Sequence, residues 1–347
     1  MTSVHQPFDV RIFYKECRTL AKAGYDVHLI APCDRPDTRD GVDIRPLPLP
    51  AGRPTRLIRT AWQMYRAASE IDGDVYHFHD PELIGVGMLL KSAGKCVVYD
   101  SHENVAGDIL TKEWIPRYAQ RAVAASAHCV QKLGVALFDA VVAATPAIAA
   151  LFPQRKCVIV QNFPLLDELS SAAASPYTER ENSIVYLGVI TAVRGAREMV
   201  NAIAAVPGRL NSSFLLAGDI YPDQLRIELQ SLPGWQKTRY LGVLPRSRIA
   251  NLLARARVGL VLFQPAPNYD DSQPTKLFEY MSAAVPVVAS DFPEWQALIE
   301  GVGCGLVVDP RDPGQGGRRC GGHDRSRFAM ISRMISEVPE AMVQSRT

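Results

Sequence analysis

Short β-branched runs separated by stretches of helical period occupy most of the chain. In the first half the runs are DVHLIAP, DVYHFH, KCVVYDS, FDAVVAAT and KCVIVQN. Each is short and rich in Val, Ile or aromatics, so each is a predicted strand. Strands of this kind alternating with helices imply a parallel sheet layered by helices. The first helix shows its period: Val10, Phe13, Cys17, Leu20 and Ala21 fall on one face, and Gly24 stands at the C-terminal cap position. Only Thr2-Ser3-Val4 precede the loop at His5-Gln6-Pro7, so the first strand is expected to be cut short.

The alternation stops at Asn162, and the stretch up to Ser183, rich in Ser, Ala and charge, reads as a linker. It resumes through SIVYLG, SSFLLAG, TRYLG, VGLVLF, VPVVAS and GLVVD and ends at Asp309-Pro310. The expected organisation is an N-terminal Rossmann-like domain over 1–162 with its first strand truncated, a linker over 163–182 and a second Rossmann-like domain over 183–313. Beyond Pro313 the run GQGGRRCGGHDRSRF has no apolar period, so 314–347 reads as an atypical, disordered tail, like a frameshifted or degraded end.

Composition narrows the function classes. The 347 residues carry 38 Lys+Arg against 36 Asp+Glu, a formal charge of +2, which is too balanced for a protein that lives on nucleic-acid phosphates. The 7 cysteines include no C-x-x-C pair, which disfavours a zinc ribbon or a disulfide framework and points to a reducing cytosol. No run reaches the roughly 18 apolar residues of a membrane span, and the N-terminus lacks the build of a signal peptide.

The most informative segment is Asp271-Ser272-Gln273-Pro274-Thr275-Lys276-Leu277-Phe278-Glu279. It follows the strand VGLVLF, so a helix is predicted to begin near Pro274, capped by Ser272 or Gln273. Its unpaired N–H groups and the Lys276 charge would suit a phosphate, and Glu279 one turn on would reach sugar hydroxyls. The alternative is an ordinary amphipathic helix with Lys276 and Glu279 solvated. In YLGVITAVRG, Gly188 admits a ligand to the backbone and Arg194 offers a fork of donors to a diphosphate. Neither a G-x-G-x-x-G nor a P-loop is present, which removes dinucleotide dehydrogenases and P-loop ATPases. The loops His77-Phe78-His79-Asp80-Pro81-Glu82 and Asp100-Ser101-His102-Glu103-Asn104 follow two predicted strands, at the edge where open α/β sheets bind ligands. Their spacing matches no metal motif, so no metal is expected.

Together these segments resemble the retaining glycosyltransferases of family 4, whose GT-B fold sets two Rossmann-like domains across a cleft. The resemblance spans about residues 2–313. QPTKLFEYMSAAVPVVASD is similar to the family's E-x7-E region, with Asp271 at the first acidic position and Glu279 at the second. It implies that Glu279 binds the donor ribose, that Pro274, Thr275 and Lys276 hold phosphate, and that Asp271 contacts the donor sugar. YLGVITAVRG resembles YVGR-x4-KG, which puts Arg194 at the second basic position and leaves Val189 where the first is usual, so Lys276 is expected to stand in. Gly242 and Val243 of TRYLGVLP would cover the base. VVYDSHE resembles the strand end bearing a histidine near the transferred sugar, here His102, with His5, His79, Asp80 and Glu103 in neighbouring loops of undefined role.

The resemblance implies transfer of a hexosyl group from a nucleoside-diphosphate sugar to a hydroxyl acceptor, with lipid-linked acceptors of polysaccharide or glycolipid assembly included. His102, Arg194 and Lys276 would carry catalysis, without metal or cofactor. The expected location is cytoplasmic, with peripheral contact at the inner membrane face as an option carried by the apolar and basic run from Ile109 to Arg121. The competing readings are a GT-B sugar-nucleotide epimerase and a non-catalytic remnant.

Overall fold

The computed structural model describes residues 1–48, 56–110, 112, 115–165, 169, 176–266 and 272–311. The chain divides into two compact units, Met1–Asn162 and Phe163–Thr347. Asp271, Thr111, Glu113, Trp114 and the tail 314–347 lie outside the described residues.

The first unit holds β1 (Val27–Pro32), β2 (Asp37–Arg39), β3 (Val42–Leu47), β4 (Val75–Phe78), β5 (Cys96–Ser101), β6 (Ala140–Ala143) and β7 (Cys157–Ile159). They form two ladders, β1-β3-β2 and β4-β5-β6-β7. The backbone at residues 1 and 2 lies between the ladders: the Thr2 amide donates to the Ile30 carbonyl at 3.0 Å, and the His79 amide to the Met1 carbonyl at 3.2 Å. Every pairing is parallel except β2 with β3. That hairpin turns through Asp40 and Gly41 at φ 52° and 79°, the positive pair of a tight two-residue turn.

The first helix departs from expectation. Val10–Cys17 is wound as a π-helix before Arg18–Lys22 continues as α. Asp9 caps it by accepting from the Arg11 and Ile12 amides. The wider winding turns Arg11, Ile12 and Phe13 inward together, so that of the face drawn at period 3.6 Phe13, Cys17 and Ala21 pack against the core while Leu20 is 40% exposed.

The second unit holds β8 (Ser183–Leu187), β9 (Ser213–Ala217), β10 (Thr238–Gly242), β11 (Val258–Val261), β12 (Val287–Ser290) and β13 (Gly305–Val308). All pairs are parallel, in the order β10-β9-β8-β11-β12-β13. Both faces are covered: Ile184 and Tyr186 enter one core, Val185 and Leu187 the other. The chain winds outward from β8 to β10 and returns to β11, so the topological switch point lies between β8 and β11. Residues 176–182, read as linker, pack onto this unit: the Arg180 guanidinium donates to the carbonyls of Ala256 at 3.1 Å and Ala284 at 3.0 Å.

Candidate functional site

In the second unit the carboxyl ends of β8, β9 and β10 finish in Gly188, Gly218 and Gly242, all at positive φ. At Gly218 a side chain is impossible, because a Cβ would lie 1.9 Å from the Gly188 carbonyl oxygen. At Gly188 a Cβ would stand 3.6 Å from the Lys276 Nζ. The switch point is thus floored by bare backbone with an ammonium above it.

That ammonium comes from the helix Thr275–Ser282. The helix is docked by Tyr280, whose hydroxyl accepts from the Leu187 amide at 3.1 Å. Its N-cap is Pro274, one position later than the sequence suggested, and Pro274 has no side-chain acceptor to bond the first-turn N–H groups. Lys276 is buried rather than solvated. Its Nζ donates to the Tyr186 hydroxyl at 2.7 Å and lies 4.0 Å and 5.0 Å from the ring centres of Tyr186 and Phe263. Burial, and then the like charge of Arg194, hold its pKa well below the usual lysine range, against the pull of Glu279. Among the described residues no carboxylate lies within ion-pair distance of Lys276 or Arg194. Arg194 lies over Phe263 and donates to the Val189 carbonyl at 3.3 Å. Gly195 after it is forced, since a Cβ there would sit 1.8 Å from the Leu262 carbonyl oxygen.

Glu279 is buried too, and Arg246 Nη1 donates to its Oε1 at 2.6 Å. Arg246 opens the helix that follows β10, Gly242 and Val243, and the sequence reading passed over it. Its signal was the basic residue ending GVLPR. Val243 is 77% exposed.

In the first unit the structure gathers polar residues around Asp100, which is fully buried at the end of β5. Arg11 Nη2 donates to Asp100 Oδ2 at 2.8 Å, and Arg11 Nε faces Glu16 Oε1 at 3.0 Å. His77 Nε2 and His79 Nδ1 each lie 3.6 Å from Asp100 Oδ2, and His79 Nε2 lies 3.5 Å from Glu16 Oε2. Burial raises the Asp100 carboxyl, but His102, His77, His79 and Arg11 outweigh it and hold its pKa well below the carboxylate range. Burial and then the Asp100 charge push Glu16 up to about 9. Burial, and then the charge of His77, push His79 well below the ordinary imidazole range.

The expected cleft residues fall into different places. His79 is buried beneath the loop. Asp80 anchors the first residues of the chain, accepting from Thr2 Oγ1 at 2.8 Å and the Ser3 amide at 2.5 Å. His5 lies 3.5 Å from Asp9 and 3.6 Å from Asp80, and the Asp9 contact raises its pKa against burial. Its ring meets His102 edge-on at 5.4 Å, whereas Glu103 is exposed. Donor atoms of Glu16, His77, His79 and Asp100 lie within 4.8 Å of one another, a set of the kind that binds a divalent ion. Arg11 already supplies positive charge to both carboxylates.

Two family models match: "Glycosyl transferase 4-like domain" over residues 11–161 and "Glycosyl transferases group 1" over residues 181–318. No curated protein sequence matches significantly. Among solved structures the chain is similar to sucrose-phosphate synthase from Thermosynechococcus elongatus, at 19% identity and TM-score 0.69, covering 97% of this chain and 89% of that one. WaaG, a glycosyltransferase involved in lipopolysaccharide biosynthesis, gives 16%, 0.67, 96% and 88%. Anabaena HepE, in complex with UDP-glucose, gives 15%, 0.60, 95% and 90%. These likenesses show the fold, GT-B with two Rossmann-like units.

Proposed function

The chain belongs to the group 1 glycosyltransferases, and from that premise we propose that it transfers a hexosyl group from a nucleoside-diphosphate sugar to a hydroxyl acceptor with retention at the anomeric carbon. The observation that carries the donor site is the pair of cations Lys276 and Arg194, which have no carboxylate within ion-pair distance among the described residues, beside the glycine floor at the switch point. A buried ammonium without a counter-ion is costly, and an arriving diphosphate offsets that cost. In this reading the bond from the anomeric carbon to the leaving phosphate oxygen breaks, the acceptor oxygen bonds to that carbon, and the acceptor proton passes to the departing phosphate. Lys276, Arg194 and the helix start at Thr275 neutralise the developing charge, which is electrostatic stabilisation needing neither metal nor cofactor. Glu279, steadied by Arg246, takes the ribose, Gly242 and Val243 flank the base, and His102 orients the sugar. Support for a nucleotide-sugar donor also comes from the HepE complex with UDP-glucose.

The reading extends to a cytoplasmic enzyme working on lipid-linked acceptors at a membrane surface. The helix Arg117–Leu137 contains no acidic residue and exposes Tyr118, Val130, Leu133 and Leu137 together with Arg117, Arg121 and Lys132. Apolar area with a basic rim suits an anionic bilayer interface. Among the described residues no helix is long and apolar enough to cross a membrane.

The test is acceptor-dependent release of nucleoside diphosphate, with calorimetric titration of UDP and GDP. Binding of one and its loss in Arg194→Ala support the donor site, and unchanged binding and turnover in that variant overturn it.

A further inference from the structure

We infer that Asp100 is a positioning residue that fixes the tautomer of His102, holding the proton on Nδ1 so that Nε2 faces outward as an acceptor. The two carboxylate oxygens of Asp100 have different surroundings. Oδ2 accepts from Arg11 at 2.8 Å and has His77 and His79 at 3.6 Å each. Among the described residues Oδ1 is buried without a hydrogen-bond partner, as is His102 Nδ1, and the two lie 3.9 Å apart. That is about 1 Å beyond hydrogen-bond length, a gap that a small ring movement closes. The His5 ring meets that of His102 edge-on at 5.4 Å. A fully buried carboxylate oxygen without a donor is costly, so the Nδ1–H tautomer is the one this pocket favours.

The consequence is specific for the substrate group that meets His102. An imidazole with Nε2 unprotonated accepts a hydrogen bond, so the group opposite must be a donor, as a sugar hydroxyl is. This last step rests on the reading that His102 meets the sugar, but the tautomer itself does not.

Nitrogen-15 spectra of the full chain labelled at histidine, with His102 assigned by its loss in His102→Gln, measure the tautomer directly. Expected is a His102 with Nδ1 protonated and Nε2 bare, reverting in Asp100→Asn toward the Nε2–H form that free histidine prefers. A wild-type His102 that is mainly Nε2–H overturns the inference even if Asp100→Asn does not fold, and so does a tautomer unchanged in a folded Asp100→Asn. Failure of the sugar reading looks different: His102→Gln then leaves nucleoside-diphosphate release at the wild-type rate while the wild-type tautomer stays Nδ1–H.

Discussion

Replacing Lys276 by Met should raise the stability of the second unit and weaken diphosphate binding at the same time. The side chain is 7% exposed, enclosed by the rings of Tyr186 and Phe263, and pushed further toward the neutral form by Arg194. Met keeps the length and apolar stem and removes the desolvation cost. Tyr186 survives the loss because its hydroxyl still donates to the Val189 carbonyl at 2.9 Å. Exchanging a buried charge for an apolar side chain of similar volume is neutral or stabilising by up to about 4 kcal/mol. We take about 1 kcal/mol, since one good hydrogen bond is lost in the exchange, which is roughly 2–4 °C in Tm for a unit of this size. Binding should move the other way. A charge-assisted hydrogen bond to phosphate is worth about 1.5–3 kcal/mol, so Kd for the nucleoside diphosphate should rise about 10- to 150-fold. Scanning calorimetry of the free protein and titration with UDP and GDP read the two effects separately. A Tm several degrees lower would show that the ammonium is structural, and unaltered affinity would remove Lys276 from the donor site.

Arg246→Ala should weaken nucleotide-sugar binding roughly 5- to 10-fold through Glu279, as the 2.6 Å contact is partly exposed and worth about 1 kcal/mol. Titration of the double variant with Glu279→Ala should show no further loss, and additive losses would refute the coupling. Glu16 is ionised in the unfolded chain above its ordinary 4.5 but keeps its proton in the native state up to about 9. Native protein therefore binds more protons in that window, and stability falls as pH rises through it. Glu16→Gln should abolish this slope, so urea midpoints of variant and wild type should diverge from about pH 6 to about pH 8.5, and parallel midpoints would contradict the buried pair. The chain should sediment with anionic but not zwitterionic vesicles, and Leu133→Glu should abolish it. Equal sedimentation with both vesicle types would refute the basic-rim reading.

The apolar runs were sufficient to locate β1 and β4 to β13, most plainly β8, β11 and β12, because a strand buried on both faces writes itself as a continuous apolar run. The pair β2 and β3 escaped, although Asp40-Gly41 between alternating residues is a hairpin signal in its own right. The π winding of Val10–Cys17 was not legible, since its apolar residues fit period 3.6 equally well. Arg11 and Glu16 carry no signal in the sequence for this reason, since it is the extra residue per turn that brings them inward beside Asp100. Nor does local pattern join Arg246 to Glu279, which lie 33 positions apart and belong to helices that follow two non-adjacent strands, β10 and β11, of one sheet.

Val189 departs from the motif the chain resembles, and its surroundings bear on what that departure costs. The resemblance expects a cation there, and an aliphatic residue alone would argue for a weakened donor site. Yet the position still contributes through its carbonyl, which accepts from both Tyr186 Oη at 2.9 Å and Arg194 Nη1 at 3.3 Å. Tyr186 in turn accepts from Lys276, so one backbone oxygen ties two cations into a single hydrogen-bonded array. A long basic side chain at 189 would extend from the strand end, whereas Lys276 comes from the helix after β11, with its Nζ 3.6 Å from where a Cβ at Gly188 would stand. On the proposed donor-site reading, Lys276 supplies from the helix after β11 the charge that position 189 lacks. Val189→Arg should accordingly crowd the site with a third cation, and its effect on diphosphate affinity should be smaller than that of losing Lys276. Titration of UDP and GDP into Val189→Arg and Lys276→Met decides it: a gain at 189 that fully restores the double variant would mean that the two positions are interchangeable, and that Lys276 has no special geometry.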